Sequence, residues 1–326
     1  MSDLRNSTQK LSYLQAIVEA HREEMRRDET VILIGEDIAV YGAQTLFDEF
    51  DESRLRNAPL SELGFTGVGV GAALTGLRPI IDLTIASFLY LASDQLINQA
   101  AKLRFMTGGQ LRVPLVVRAS TFYNNRTAAQ HADRPYPFFM NVPGLKVLAP
   151  SCASDAKGLL KSAVRDDDPV LFFEDITLWG KKEEVPVDED ALVPIGQAAV
   201  KREGSDVTIV AFAGSVPPSL AAADALAKEG VSVEVVDLRT LVPMDKATIL
   251  TSVAKTGRLV VVDNSHRVGS VASEVAAVVV EEAFDSLRKP IQRVTAPAIH
   301  VPYNPTLEKQ LFPTKDTIAA AVRRIL

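Results

Sequence analysis

Residues 80–120 read IIDLTIASFLYLASDQLINQAAKLRFMTGGQLRVPLVVRAS, and this stretch begins and ends with apolar runs. The runs IIDLTI (80–85) and VPLVVRAS (113–120) are continuous rather than alternating, which is typical of strands buried on both faces of a sheet. Residues 94–106 lie between them and predict a helix that ends before a pair of glycines. A strand, a helix and a second strand in this order form a parallel βαβ unit, so the stretch predicts a parallel sheet covered by helices.

The alternation of strand and helix continues outward from this unit in both directions. Further buried strands are predicted at 31–35, 145–151, 169–175, 206–213, 231–238 and 258–264. A charged segment with two prolines and no apolar periodicity separates the two halves, which is typical of a linker. We therefore predict an α/β protein with two parallel-sheet domains, at 1–180 and 195–326, joined by a linker at 181–194.

Composition excludes several classes of protein. The chain has 326 residues, 47 % of them hydrophobic and 23 % charged, which indicates a folded globular protein rather than a disordered one. It carries 35 basic and 41 acidic residues and no basic run, so nucleic-acid binding is not expected. No apolar run reaches the roughly 20 residues of a membrane span. The single cysteine, Cys152, rules out an intrachain disulfide framework, and together these features predict a cytoplasmic protein.

Glu62 precedes an apolar segment that is rich in small residues. The glycines of this segment do not follow a strand directly, as a dinucleotide-binding fingerprint requires, so NAD binding is disfavoured. Small residues there would instead let a helix approach a neighbour or a flat ligand. Two interpretations of Glu62 stay open. It is either a carboxylate favoured by the positive end of a helix, or a proton-exchanging group whose pKa is raised by an apolar wall.

The four histidines do not form a metal site by their spacing, since none has a second histidine or a cysteine nearby in the sequence. His21 lies on the charged face of the predicted first helix and is expected to be solvated. His131 lies in a long irregular segment, 121–144, which is rich in charged and aromatic residues and follows a predicted strand. A segment of this length inside a compact domain is functional or disordered. Motifs of P-loop enzymes and of serine hydrolases are absent from the sequence.

Five segments carry a more specific signal. They are LSYLQAIVEAHREEMRRDETVILIGEDIAVYGA (11–43), PLSELGFTGVGVGAALTGLRPI (59–80), DQLINQAAKLRFMTGG (94–109), PGLKVLAPSCASDAKGLLKSAVRDDDPVLFFED (143–175) and LRTLVPMD (238–245). Together and in this order they resemble the β subunits of thiamine-diphosphate-dependent 2-oxo acid dehydrogenases, a group that includes the pyruvate, branched-chain and acetoin enzymes. The resemblance extends over nearly the whole chain. It implies a transketolase-like pyrimidine-binding domain followed by a transketolase C-terminal domain.

The resemblance also implies roles for individual residues. Glu62, in the S-E-x-G-F motif, would hydrogen-bond the aminopyrimidine ring of thiamine diphosphate and promote deprotonation of the thiazolium. Phe88 would stack on the pyrimidine, although an ordinary core phenylalanine would suit the same position. His131 would face the thiazolium and the substrate, and Glu36 would support the cofactor site from behind.

Metal binding and partners follow from the same resemblance. The G-D-G motif that holds diphosphate through Mg²⁺ is absent from this sequence, which implies that an α subunit carries it and that the two chains form an α/β heterotetramer. A monovalent cation, K⁺, would be held mostly by carbonyl oxygens around a turn that could equally be an ordinary aspartate-rich turn. The residues implied for it are Leu115, Ala163, Val164, Asp166 and Asp168.

The expected function is oxidative decarboxylation of a 2-oxo acid, with acyl transfer to the lipoyl group of an acyltransferase partner. One alternative is a carboligase or ketol transferase that uses an aldehyde acceptor, and another is a non-catalytic structural or regulatory subunit. The segment 121–133 departs from the family, because Ala132 and Asp133 replace the usual Ser-Gln after His131. We therefore expect that segment to alter the choice of substrate or acceptor.

Overall fold

The structure is a computed structural model and describes residues 7–39 and 43–326. The chain divides into two compact units. The first comprises the described residues up to Phe122 together with Phe138–Ile195, and the second comprises Tyr123–Pro137 and Gly196–Leu326. Each unit is built from strands and helices around its own sheet, which confirms the predicted α/β class.

The strands are β1 (Thr8–Ser12), β2 (Val31–Gly35), β3 (Leu55–Asn57), β4 (Arg78–Ile85), β5 (Val116–Thr121), β6 (Lys146–Leu148), β7 (Val170–Asp175), β8 (Lys182–Pro186), β9 (Ala199–Arg202), β10 (Val207–Ala211), β11 (Val233–Asp237), β12 (Thr240–Val242), β13 (Leu259–His266) and β14 (Gln292–Ala296). The α-helices are α1 (Tyr13–Arg27), α2 (Glu62–Leu74), α3 (Ala101–Met106), α4 (Ala128–His131), α5 (Tyr136–Met140), α6 (Ala153–Val164), α7 (Val216–Ala227), α8 (Lys246–Thr256), α9 (Val271–Ala283), α10 (Pro305–Glu308) and α11 (Lys315–Arg323). The helix predicted at 94–106 forms, but its first part, Gln95–Ala100, is a π-helix that leads into α3.

The first unit contains a parallel sheet in the order β6-β7-β5-β4-β2-β3. Its strands are buried along nearly their whole length, which is why they read as continuous apolar runs. Gly35 closes β2 where the strand lies close to β4, and a Cβ there would come within 2.4 Å of the Asp82 carbonyl oxygen. Helices α1 and α6 pack on one face of the sheet and form its main apolar core.

The second unit contains a sheet in the order β14-β13-β10-β11-β9, parallel except for β9, which runs antiparallel to β11. Its core lies between this sheet and helices α7 and α11. The segment Tyr123–Pro137 follows β5 of the first unit in the sequence but packs as part of the second unit. The predicted linker region 181–194 contains β8, which pairs with β1 in the first unit.

Candidate active site

The carboxyl edge of the first unit's sheet brings three of the predicted site residues to one end of the fold. Glu36 comes directly after β2, and Phe88 lies in the 3₁₀ turn Ala86–Tyr90 that follows β4. Glu62 is the first residue of α2, which begins soon after β3. The carboxyl ends of parallel strands are where open α/β sheets bind ligands, so the topology places these residues at the expected edge.

Glu36 is the most perturbed carboxyl group at this edge. Its residue is 3 % exposed, and its Oε2 atom is buried without a hydrogen-bond partner in the described part of the chain. Burial, and then the negative charge of the neighbouring Glu62, raise the pKa of Glu36 to about 7. A carboxyl group in this environment can hold or release a proton near neutral pH, and its unpartnered oxygen can accept a hydrogen bond from a ligand.

Glu62 is half-buried in the first turn of α2. The helix approaches β4 closely because Gly69 has no side chain, and a Cβ at that position would lie 2.5 Å from Cδ1 of Ile81. On another side of the same helix, a Cβ at Gly71 would meet nothing within 4 Å. The small residues therefore serve close packing at one position and leave open space at another, as the sequence predicted for a helix next to a neighbour or a flat ligand.

Phe88 is only partly buried, whereas Ser87 and Leu89 on either side of it are buried. Its ring is thus neither a core side chain nor a freely solvated one. This degree of exposure suits a surface on which a planar ring could stack.

His131 ends the short helix α4 in the second unit. The backbone before it is strained, since Asn124, Arg126 and Ala128 all have positive φ angles, between 56° and 59°. Positive φ at residues other than glycine costs free energy and persists only where surrounding contacts fix the backbone. Such strain is concentrated at functional sites in proteins, which agrees with the functional interpretation of this long segment rather than the disordered one.

Contacts within the second unit hold this segment in place. The guanidinium of Arg134 lies 4.9 Å from the ring centre of Phe312 and 6.0 Å from that of Tyr123, and its Nε donates to the Asn264 carbonyl at 2.9 Å. Burial lowers the pKa of Arg134 below its usual value. The buried carboxylate of Glu308 accepts the backbone N–H of Arg126 at 3.2 Å.

The two unusual residues after His131 occupy different environments. Ala132 is buried in an apolar cluster with Tyr123 and Phe312. Asp133 is partly exposed. Of this pair, Asp133 is therefore the one whose side chain can act on a bound molecule.

The residues implied for a monovalent cation lie around the turn between α6 and β7. The carbonyl oxygens of Val164 and Asp166 accept hydrogen bonds from Nη1 of Arg78 at 3.0 and 2.9 Å. The Ala163 carbonyl accepts the backbone N–H of Asp166, and the Leu115 carbonyl accepts a backbone N–H from β7. A carbonyl oxygen has two lone pairs, so each of these groups could still bind an ion.

Protein cations already neutralise the side chains of that turn. Lys146 lies 2.6 Å from Oδ2 of Asp166 and 3.4 Å from Oδ2 of Asp168. Burial alone would raise the pKa of Asp168, but its hydrogen bond with Arg104 and the charge of Lys146 lower it overall. Within residues 7–39 and 43–326, no group of three or more His, Cys, Asp or Glu side chains is arranged to hold a metal ion.

The sequence analysis missed a buried charge network beneath the site. Arg118 on β5 lies 2.8 Å from Asp82 on β4 and 2.7 Å from Glu174 on β7. The only available signal for the charge network was the presence of charged residues within apolar strands: Asp82 and Arg118 are paired in register, and Glu174 lies two positions further along β7.

The prediction for His21 was wrong, because the residue is 1 % exposed. Burial, and then the charge of Arg118, lower the pKa of His21 to about 3.

Comparison with known proteins places these features in context. Residues 9–179 match the family model for the transketolase pyrimidine-binding domain, and residues 196–318 match that for the transketolase C-terminal domain. The β subunit of an acetoin:2,6-dichlorophenolindophenol oxidoreductase from Bacillus subtilis is 43 % identical over 97 % of both chains. The 2-oxoisovalerate dehydrogenase β subunit of the same organism is 42 % identical over 97 % of this chain and 98 % of its own.

Two further matches extend the comparison. The β subunit of the pyruvate dehydrogenase E1 component from Rhizobium meliloti is 43 % identical over 95 % of this chain and 69 % of its own length. A solved structure described as a split-gene transketolase, an inactive beta4 tetramer, superposes with a TM-score of 0.80 at 22 % identity, covering 97 % of this chain and 98 % of that one. At this level of identity the structural match shows the fold alone. In the described part of the chain, no helix is long and apolar enough to cross a membrane.

Proposed function

The chain belongs to the family of E1 β subunits of thiamine-diphosphate-dependent 2-oxo acid dehydrogenases, and we propose that it supplies the pyrimidine-binding half of an active site completed by an α subunit. The two chains form an α/β heterotetramer, and the α subunit holds Mg²⁺ and the diphosphate. The assembly works in the cytoplasm. The absence of a G-D-G motif from this sequence supports the division of ligands between two chains.

The observation that carries this proposal is the pair of carboxyl groups at the carboxyl edge of the first sheet. Thiamine diphosphate, when bound, supplies the nucleophilic carbon and the electron sink that decarboxylation needs. Glu62 would exchange a proton with a ring nitrogen of the bound aminopyrimidine. Glu36 lies close enough to Glu62 that the charge of Glu62 contributes to the raised pKa of Glu36.

The remaining residues orient the reactants. Phe88 provides a partly exposed ring on which the pyrimidine could stack, and the strained segment before His131 would hold the imidazole for substrate binding and proton transfer. The carbonyl oxygens of Leu115 and Ala163, near the turn between α6 and β7, would hold K⁺, which would stabilise that turn when bound.

The reaction we propose is oxidative decarboxylation of a 2-oxo acid or a related ketone, with acyl transfer to a lipoyl acyltransferase. The relatives named above have nearly equal identity to this chain, yet their names refer to acetoin, pyruvate and 2-oxoisovalerate. Overall identity therefore does not select a substrate. The charge at Asp133 disfavours a simple anionic substrate and favours one with hydroxyl groups or an amine.

The test is substitution Glu62→Gln in the chain co-expressed with its α subunit. An amide cannot exchange the proton, so we expect turnover to fall by about 10²–10⁴-fold while assembly persists. Hydrogen–deuterium exchange at the thiazolium carbon measures the step directly. The control is Glu52→Gln, which changes an exposed carboxylate in the same unit. Exchange at the wild-type rate in Glu62→Gln would remove Glu62 from the mechanism.

The acceptor separates the proposal from the carboligase alternative. We expect turnover to require a lipoyl acceptor, and product formation with an aldehyde alone would favour the carboligase instead. An assembled complex that binds cofactor and turns over neither would indicate a structural or regulatory subunit.

A further inference from the structure

The buried charge network around Arg118 lies next to a distortion in β4. Asp82 pairs with Arg118 in register, but the next pair, at Ile85, lies three positions further along β4 and only two positions further along β5. A β-bulge of this kind bends a strand and redirects the residues that follow it. In this unit the bulge is followed directly by the turn that carries Phe88.

Thr84, inside the bulge, has a backbone conformation that its residue type disfavours. Its φ is +57°, and the residue is buried. A β-branched side chain crowds the backbone in this region of φ, so a threonine stays there only where other contacts fix it. The bulge therefore needs a group that holds the backbone of Thr84.

Asp82 supplies that group. Its Oδ1 accepts the backbone N–H of Thr84 at 2.9 Å, and its Oδ2 accepts a hydrogen bond from Nη1 of Arg118 at 2.8 Å. Each carboxylate oxygen thus has its own donor, and the side chains of Asp82 and Arg118 are both buried. Arg118 fixes the orientation of the carboxylate, and the carboxylate fixes the backbone of Thr84.

Thr84 connects the bulge to Glu36. Its hydroxyl group donates to the carbonyl oxygen of Glu36 at 3.3 Å. Gly35 pairs with Asp82 in register, and the two strands approach so closely there that a side chain on Gly35 would overlap Asp82. The end of β2 and the bulge of β4 are therefore held together at the point where Glu36 leaves the sheet.

The second carboxylate of the network is bound differently. Nε and Nη2 of Arg118 both lie 2.7 Å from Oε1 of Glu174. Oε2 of Glu174 is buried and has no hydrogen-bond partner among the described residues. Glu174 thus neutralises Arg118 through one oxygen, whereas Asp82 uses one oxygen for Arg118 and the other for the bulge.

Net stability is a poor explanation for a network of this kind. Removing two ions from water costs about as much free energy as their attraction returns, so a buried ion pair adds little stability, but it can select one arrangement of the chain. We propose that Asp82, held by Arg118, is a positioning residue for the thiamine-diphosphate site. It fixes the bulge of β4, and with it the backbone of Glu36 and the direction of the turn that carries Phe88. This role rests on the function proposed above.

The test compares two changes of carboxylate to amide, each of which removes one negative charge from beside Arg118. In Asp82→Asn the new NH₂ group must face either the guanidinium or the N–H of Thr84, so one of the two hydrogen bonds is lost. In Glu174→Gln the NH₂ group can take the place of the unpartnered Oε2, and both contacts of Oε1 persist. A merely structural role of the network predicts similar effects from the two variants.

Hydrogen–deuterium exchange of the full chain without cofactor measures the backbone of the bulge. Asp82→Asn should raise the exchange rate of peptides from residues 83–90 by at least about tenfold relative to wild type, because a buried N–H loses its acceptor. Peptides from β7 serve as the internal reference. Glu174→Gln should leave the exchange rate of residues 83–90 within about twofold of wild type, since the hydrogen bonds of the bulge persist.

Cofactor binding measures the consequence for the site. In the complex assembled with the α subunit and Mg²⁺, Asp82→Asn should raise the Kd of thiamine diphosphate by at least about tenfold, whereas Glu174→Gln should keep it within about threefold of wild type. Thr84→Val keeps the shape of the side chain and removes only the hydroxyl that holds Glu36. It should raise the Kd by about two- to tenfold, and it decides the question alone if Asp82→Asn does not fold.

Three results would overturn the positioning role. One is equal exchange of residues 83–90 in the two amide variants, and another is an increase spread evenly over the whole first unit. The third is wild-type affinity for thiamine diphosphate in Asp82→Asn or, where that variant does not fold, in Thr84→Val. All three would leave the proposed function standing. A wild-type complex that binds no thiamine diphosphate would instead overturn the proposed function and, with it, this role of Asp82.

Discussion

Glu36 should destabilise the folded chain at neutral and alkaline pH, and its replacement by glutamine should reveal this cost. Burial raises the pKa of Glu36 from 4.5 to about 7. A group with a raised folded-state pKa contributes stability below its unfolded-state pKa and loses that contribution as pH rises through the folded-state value. Glu36→Gln keeps the shape of the protonated side chain but cannot ionise. The variant should therefore gain stability relative to wild type as pH rises.

The magnitude follows from the shift. Each pKa unit corresponds to about 1.4 kcal/mol, so the pKa difference between 4.5 and about 7 makes Glu36→Gln more stable than wild type by about 3 kcal/mol at pH 8. At pH 5, Glu36 is protonated in the folded state and mostly ionised in the unfolded chain, and the same calculation gives a stability difference of less than about 1 kcal/mol. For a unit of this size, about 3 kcal/mol corresponds to a rise in Tm of roughly 6–12 °C.

The assay is thermal unfolding of the full chain without cofactor, for wild type and Glu36→Gln, in matched buffers from pH 5 to pH 8. Wild type and variant are compared at the same pH, so the contributions of groups that titrate alike in both proteins to the stability difference cancel. The exposed-site variant Glu52→Gln is the control and should follow wild type throughout. A Tm difference between Glu36→Gln and wild type that stays constant with pH would refute the reasoning, because a buried carboxyl that ionises near pH 7 must produce a pH-dependent difference.

Two further predictions concern the segment that carries His131. His131→Ala should lower turnover of the assembled enzyme by at least about 10²-fold with every substrate tested, while circular dichroism stays unchanged because the side chain is only partly buried; turnover near wild type would exclude it from proton transfer. Asp133→Gln should raise kcat/KM for pyruvate and other simple 2-oxo acids relative to hydroxyketones, since it removes a negative charge near an anionic substrate. An unchanged ratio across a substrate panel would mean that Asp133 does not face the substrate. Ala132 is left in place in this test because its side chain belongs to an apolar cluster.

The pattern of hydrophobic residues in the sequence was sufficient to predict the α/β architecture. Strands buried on both faces appear as continuous apolar runs, and their alternation with helices permits few topologies other than a parallel α/β sheet. The position of Glu62 at the start of a helix rich in small residues was also evident from local sequence, since helix boundaries depend on near neighbours in the chain. The roles of Phe88 and His131 came from the family resemblance, because no local pattern distinguishes a stacking phenylalanine or a catalytic histidine from ordinary ones.

The sequence did not predict which charged residues are buried. The face of α1 that looks solvated contains Glu23 and Glu24, which are buried because two lysines of α6 and Arg165, just after that helix, form ion pairs with them. Lys161 lies 2.7 Å from Glu23, more than 130 positions away in the chain. Periodicity shows which residues are charged, but it does not show whether a distant partner compensates their charge. For this reason the sequence predicted a solvated His21, whereas the residue is buried.

The sequence by itself determined the α/β class and the alternation of the central buried strands with helices, because backbone propensity and apolar periodicity are local properties. Only the tertiary structure decided which carboxyl group is perturbed and to which unit the His131 segment belongs. The raised pKa of Glu36 depends on burial and on carboxylates that enter from Glu62 and Asp82. The segment Tyr123–Pro137 joins the second unit through contacts such as that of Arg134 with Phe312, which lies far along the chain. Both outcomes depend on the free energy of contacts between groups distant in sequence, and a linear pattern does not contain that information.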